Sequence, residues 1–174
     1  VGGVSAGAFG PDERLLGFVF GLTGVKNGRI VHWSHMLAVR GGSRNLGIGR
    51  RLKEYQHAAV AALGARVIYW TFDPLVARNA HLNFNVFGVG VEEYVRDMYG
   101  DMGSDLNRGI GTDRFVVAWP VDAAELAERR AANAAARADA DFADAPVVNP
   151  APDGEALRMA AGASRLRYGA AVVR

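Results

Sequence analysis

The stretch Ser43–Gln56, SRNLGIGRRLKEYQ, joins a glycine-bearing turn directly to the start of a helix. A tight turn alone needs one glycine, whereas here Gly47 and Gly49 follow Arg44 in the spacing Arg-x-x-Gly-x-Gly. Glycines let a ligand approach the main chain closely, and the first amides of a helix have no intrahelical acceptor. Together with the positive end of the helix dipole, these features predict an anion site at the start of the helix.

The composition is that of a globular chain, with 174 residues of which 50% are hydrophobic. A net charge of +2 is too small to indicate a nucleic acid or a membrane surface as partner. The absence of cysteine excludes disulfides and thiolate metal sites, and we expect no bound metal. No apolar run reaches the ~20 residues that a membrane-spanning helix needs, and no signal-peptide pattern opens the chain, so we expect a cytoplasmic protein.

The N-terminal third has the pattern of an antiparallel meander. Two apolar runs, residues 13–22 and 29–39, flank Asn27-Gly28, the dipeptide that favours a type I′ hairpin turn. The runs should therefore be antiparallel neighbours, and residues 1–10 predict one more short strand before them.

A strand–helix–strand unit follows the meander. Apolar periodicity predicts a helix over residues 47–63, which Gly64 ends, and a β-branched and aromatic strand over residues 65–74. The two strands that flank this helix should be parallel. The same periodicity predicts that one face of the helix points into the protein, and its residues are Leu52, Tyr55, Ala59, Ala62 and Leu63. The residues expected to face outward are Arg51, Lys53, Glu54 and Gln56.

The remainder of the chain divides near Pro120. A second helix over residues 75–87 and two final strands complete a domain of residues 1–120. Asp122 and Glu125 form a capping-box pattern at the start of an Ala-rich helix, and a Pro-containing tail follows it to residue 174. We therefore expect residues 121–174 to form a separate C-terminal segment.

The phosphate-loop families differ in spacing, and two of them do not match. A Walker loop needs Gly-x-x-x-x-Gly-Lys-Ser/Thr, and a dinucleotide fingerprint needs a third glycine where this chain has Leu52. The run from Arg44 to Gly49 resembles instead the pyrophosphate loop of the GNAT N-acetyltransferase superfamily, Arg/Gln-x-x-Gly-x-Gly/Ala. The stretches HMLAVR…GIGRRLKE, TFDPLVARNAHLN, YGDMGSDLN and TDRFVVAW further resemble a branch of predicted GNAT acyltransferases.

The resemblance implies a mixed α/β (α+β) fold. Its sheet would be mostly antiparallel, with a central parallel βαβ unit and two splayed central strands. Residues 1–119 follow the superfamily's order from its second strand onward, so the first strand and the helices that usually precede the meander have no counterpart in this sequence.

The function that the resemblance implies is acyl-CoA-dependent N-acyl transfer to a small amine or amino acid, directly in a ternary complex. Acetyl is the expected acyl group, and succinyl or another acyl group is left open. The oligomeric state is open as well, with a homodimer among the alternatives. The competing function is a non-catalytic acyl-CoA-binding or sensing module.

The resemblance also assigns cofactor-binding residues. The strand Leu37–Val39 would offer main-chain groups to pantetheine, the amides of residues 46–50 would hold the pyrophosphate, and Asn79 would contact the pantetheine arm. The full set is Leu37, Ala38, Val39, Arg44, Asn45, Leu46, Gly47, Ile48, Gly49, Arg50 and Asn79.

The resemblance does not single out one residue for proton transfer. Many members use a tyrosine as general acid where this chain has Phe84, which cannot donate a proton. A protonated amine must lose a proton before it attacks a thioester. The preferred candidates for the base are Asp73 and His35, ahead of His81, Tyr99 and Asp101, with a water relay as the alternative. His35 as part of an ordinary strand face and Asp73 as a strand terminator and cap are the competing structural interpretations.

Overall fold

The hairpin turn that the sequence predicts is present in the computed structural model, which describes residues 2–100 and 112–138. Asn27 and Gly28 have φ angles of 52° and 72°, the left-handed region that a type I′ turn requires. The turn joins β2 (Leu15–Lys26) to β3 (Arg29–Val39), and β1 (Gly3–Phe9) pairs with the far side of β2. The predicted three-strand meander is therefore confirmed.

The strand–helix–strand unit is confirmed as well. α1 (Ile48–Ala62) leads from β3 to β4 (Val67–Phe72), and β3 and β4 are parallel. β5 (Gly90–Val95) and β6 (Arg114–Pro120) complete a six-stranded sheet in the order β1-β2-β3-β4-β6-β5, in which every other neighbouring pair is antiparallel. The sheet belongs to a compact unit that ends at Arg130.

The core lies between the sheet and the helices that pack on it. Aromatic rings fill much of it: Trp70 contacts Phe87 and Trp119 edge-on, with centroid separations of 6.5 and 5.8 Å. A second aromatic group joins Phe72, Phe84 and Phe115 at 5.6 to 6.4 Å. The ring of Phe84 thus packs against β4 and β6.

The buried stripe of α1 differs from the predicted one. Leu52 is buried as expected, but Tyr55 is 59% exposed, and Ala62 and Leu63 are exposed too. Two residues predicted to face outward, Lys53 and Gln56, are instead buried with Leu52 and Val60. The prediction for Lys53 and Gln56 was wrong because β3 supplies polar partners for both side chains inside the protein, which periodicity cannot reveal.

The predicted helix over residues 75–87 is shorter and changes its winding. A single α-turn, α2 (Ala77–Ala80), continues into a π-helix over His81–Phe87, which ends at Gly88. π-helical turns are rare and are often found at functional sites.

The C-terminal helix α3 (Ala123–Ala138) begins as the sequence predicts, because Asp122 Oδ1 accepts a hydrogen bond of 2.9 Å from the Glu125 amide. The expectations for the tail after residue 138, and for Asp101, concern residues outside the described ranges. None of the described helices combines the length and apolarity that crossing a membrane requires.

Candidate functional site

An open slot between β3 and β4 is the central feature of the candidate site. The ladder between these two strands contains only two pairs, His32 with Ile68 and Trp33 with Tyr69. From Ser34 to Val39, β3 bonds to β2 alone, so its other edge faces a gap. The predicted splaying of the central strands is therefore confirmed.

A bulge in β3 lies where the strands separate. The register against β2 pairs Gly21 with Ser34 and Phe20 with Met36, so His35 is the additional residue on β3. Bulges bend a strand and redirect its side chains, and they are common beside active sites. Here two consecutive residues at the bulge, Ser34 and His35, both line the slot.

The slot has a volume of about 310 Å³ and is lined by β3, α1, β4 and the α2–π-helix segment. β3 contributes Ser34, His35 and Leu37, and α1 contributes Lys53. The remaining wall comes from β4 and the α2–π-helix segment, namely Trp70, Thr71, Phe72, Asn79, Leu82, Asn83 and Phe87. This volume is within the range of small-molecule sites.

The loop that follows β3 leaves the first amides of α1 without acceptors among the described residues. Gly47 caps α1 with a φ of 72°, and the first bond of the helix runs from the Arg51 amide to the Gly47 carbonyl, at 3.0 Å. Within the described residues, the amides of residues 47–50 donate no hydrogen bond. Residues 44–47 of this loop are exposed, and Leu46 is 68% exposed. This is the anion-binding arrangement that a helix N-terminus offers.

The charged residues of the loop are available at the surface. Arg44 is exposed, and Arg50 is held by a 2.7 Å ion pair between its Nε and Glu54 Oε1, one helical turn further along α1. In the part of the chain that the structure describes, no side chain caps the start of α1.

The two preferred base candidates occupy different surroundings. His35 lines the slot and has its ring edge-on to Phe20, with centroids 6.3 Å apart. Asp73 follows the end of β4 and is not among the residues that line the slot. Its Oδ1 accepts a 2.8 Å hydrogen bond from the Leu75 amide, as in the turn-capping interpretation.

Two asparagines face the slot from the α2–π-helix segment. Asn79, predicted as a pantetheine contact, is exposed and lines the slot. Asn83, which the sequence analysis did not select, is only 6% exposed and lines the slot. A side-chain amide that faces a ligand site can both donate to and accept from a ligand amide.

A buried polar chain runs from the slot through α1 to β2. Lys53 Nζ donates to Ser34 Oγ at 2.9 Å and to Gln56 Oε1 at 3.3 Å. Because that oxygen accepts from Lys53, the Gln56 amide nitrogen is left to donate to His32 Nε2, 3.1 Å away. His32 Nδ1 then carries the proton and donates to Thr23 Oγ1, at 3.1 Å.

This network of hydrogen-bonded side chains fits in the interior because β2 has a glycine beside it. A Cβ at Gly21 would collide with the His32 ring and with the Trp33 carbonyl. Burial, with a smaller effect from the Lys53 charge, lowers the pKa of His32 below its usual value. The sequence analysis did not predict this hydrogen-bond network. The four-residue spacing of Leu52, Gln56 and Val60, which places them on one helix face, could have indicated that Gln56 is buried.

Comparison with solved structures identifies the fold. The chain resembles Naa20 of Chaetomium thermophilum, solved with a bisubstrate analogue, with a TM-score of 0.55 and 22% identity over 66% of this chain and 64% of that one. It also resembles nourseothricin acetyltransferase, with a TM-score of 0.53 and 18% identity over 66% and 62% of the two chains. The Escherichia coli ribosomal-protein-S18-alanine N-acetyltransferase matches with a TM-score of 0.53 and 16% identity, over 69% and 70%.

The chain therefore has the fold of the GNAT acetyltransferases, as the resemblance of its loop implied. The matched part accounts for less than two thirds of the Naa20 and nourseothricin acetyltransferase chains. No protein-family model and no curated protein sequence matches this chain.

Proposed function

We propose that this chain is a GNAT-type N-acyltransferase, which uses acyl-CoA to acylate a small amine or amino acid by direct transfer in a ternary complex. One observation carries the proposal: the free amides of residues 47–50 lie at the end of β3 whose outer edge opens onto the slot. A diphosphate needs such amides, and a pantetheine arm needs an unpaired strand edge.

The proposed binding mode uses the resemblance residue by residue. The amides of residues 46–50 bind the pyrophosphate, with Arg44 supplying charge-assisted donors. Main-chain groups of Leu37–Val39 bind the pantetheine amides as an additional strand would. Asn79 and Asn83 approach the arm from the opposite wall of the slot.

The chemistry requires one proton to leave the amine and one to reach the thiolate. His35 is the proposed base because it lines the slot beside the bulge, and Asp73 is the second candidate. The attack of the amine forms the C–N bond and places negative charge on the thioester oxygen, which a main-chain N–H of the 37–39 strand would stabilise. Collapse of this intermediate breaks the C–S bond and releases the CoA thiolate, which takes up a proton. A pH–rate profile that neither His35→Ala nor Asp73→Asn changes would favour a water relay.

The test of the binding mode is Gly49→Glu, with Gly49→Gln as its matched neutral control. A Cβ at Gly49 would meet only Val39 and Leu37 side-chain carbons, at 3.6 and 3.9 Å, so both variants should fold. Glutamate near a helix N-terminus suits the dipole but repels a diphosphate. In calorimetric titration with CoA, the glutamate variant should bind at least a hundredfold more weakly than the glutamine variant, corresponding to roughly 3 kcal/mol of repulsion for charges ~5 Å apart near a surface. Equal CoA affinity of the two variants would contradict the binding mode.

A non-catalytic acyl-CoA sensor is the second candidate, favoured by the aromatic packing of Phe84 where many relatives have a tyrosine. Thiol release from acetyl-CoA or succinyl-CoA with a panel of amines separates the two functions. An enzyme releases thiol in an amine-dependent manner, whereas a sensor binds CoA and leaves thiol at background.

A further inference from the structure

Lys53 places a buried amine at the closed end of the slot, where β3 and β4 come together. Its side chain lines the slot although the residue is only 3% exposed. Its Nζ lies 3.5 Å from the centre of the Trp70 ring and 2.9 Å from Ser34 Oγ. A cation is thus held between α1, β3 and β4.

No opposite charge accompanies this cation among the described residues. The lining of the slot contains neither Asp nor Glu, and both hydrogen bonds of Lys53 go to neutral oxygens. Burial lowers the pKa of Lys53 from 10.5 to about 7, as expected for an ammonium without a counterion. Buried charges are normally paired, so an unpaired one facing a ligand site indicates an anionic ligand group.

The length of the slot indicates which ligand group reaches Lys53. A pantetheine arm has about the length of four residues of extended chain, roughly 14 Å. A diphosphate at the amides of residues 47–50 starts that arm beside Val39, and four strand residues lead to His35 at ~3.3 Å each. The thioester then lies near the bulge, and the acyl chain continues to Ser34 and Lys53.

We infer that the donor acyl group carries a terminal carboxylate, which Lys53 and the Ser34 hydroxyl bind at the closed end of the slot. The donor class is a dicarboxylic acyl-CoA of malonyl or succinyl size. An acetyl group would leave the Lys53 cation unpaired. This inference rests on the proposed function, because it takes the binding mode of CoA as given.

The test compares succinyl-CoA with butyryl-CoA, which has the same number of acyl carbons and a methyl group in place of the carboxylate. In calorimetric titration at pH 6.5, the wild-type chain should bind succinyl-CoA at least tenfold more tightly, the effect of one hydrogen bond between charged groups. Lys53→Met should lose this preference and bind the two thioesters with about equal affinity.

The outcomes separate this inference from the proposed function. Equal binding of the two thioesters by the wild-type chain overturns the inference and leaves the N-acyltransferase proposal standing. A succinyl preference that persists in Lys53→Met also overturns it. Failure of CoA and both thioesters to bind contradicts the proposed function itself.

A measurement on the wild-type chain does not depend on the folding of the variant. Pairing with a carboxylate raises the pKa of Lys53, so at pH 8 succinyl-CoA should bind with uptake of close to one proton. Titrations in two buffers of different ionisation enthalpy measure this uptake. His32 and His35 are the other titratable side chains near Lys53, and butyryl-CoA controls for both. Equal proton uptake with the two thioesters would overturn the inference.

Discussion

Replacing Lys53 with methionine should make the chain more stable, and the gain should depend on pH. The pKa of Lys53 is about 7 in the folded protein and 10.5 without burial. Below pH 7 the folded state carries a desolvated ammonium, and this cost disappears as the pH rises towards 10.5, because the folded state releases the proton first. Methionine fills a similar volume and pays no such cost.

The magnitude follows from the two pKa values. At 1.36 kcal/mol per pKa unit, the burial cost is about 4 to 5 kcal/mol at pH 6.5 and about 1 kcal/mol at pH 9.5. The variant also loses the hydrogen bonds to Ser34 and Gln56, about 1 kcal/mol each. The variant should therefore be about 2 to 3 kcal/mol more stable than wild type at pH 6.5 and roughly equal to it at pH 9.5.

Urea denaturation of both proteins at the two pH values measures this difference. Arg51→Met is the matched control, because Arg51 is an exposed cation on the same helix and the substitution removes a charge that is not buried. Burial lowers the pKa of His32, which moves the titration of this neighbour further below that of Lys53. A stability difference between wild type and Lys53→Met that does not change with pH would refute the burial of an uncompensated ammonium.

Further predictions concern the slot, the helix cap and the hairpin. Asn83→Leu should weaken CoA binding about tenfold in calorimetry, since a buried amide that faces the slot is lost, and unchanged affinity would place the arm elsewhere. Asp122→Ala should lower the free energy of unfolding by about 1 kcal/mol in urea titrations by removing the cap of α3, and no loss would mean that the cap contributes nothing. Gly28→Val should cost at least 1 kcal/mol by the same assay because φ is 72° there, while CoA affinity stays unchanged. The turn lies at the Arg29 end of β3, away from the slot-lining part of the strand, so a change in CoA affinity would contradict the proposed location of the CoA site.

Local signals were sufficient to predict most of the fold. The Asn27-Gly28 turn and the order of strands and helices all have short-range causes, and each is found as expected. The turn from Arg44 to Gly49 that leads into a helix could be predicted because the spacing of its glycines reflects local requirements of the backbone.

The functional interior could not be predicted in the same way. Periodicity assigns Lys53 and Gln56 to the surface because each is polar, whereas their burial depends on Ser34 and His32, which are distant in sequence and adjacent in space. Asn83 was missed for a related reason, since a polar residue in a predicted helix is assigned to the surface, whereas it is 6% exposed and lines the slot. Tertiary partners, rather than local propensity, decide such positions.

In the proposed binding mode, the amides at the head of α1 bind a diphosphate whose attached arm enters the slot. Amide chemical shifts recorded during a titration with CoA locate the bound cofactor. We expect the largest shifts at residues 46–50 and along residues 34–39 of β3. Shifts confined to other parts of the chain, or no shifts at millimolar CoA, would contradict it.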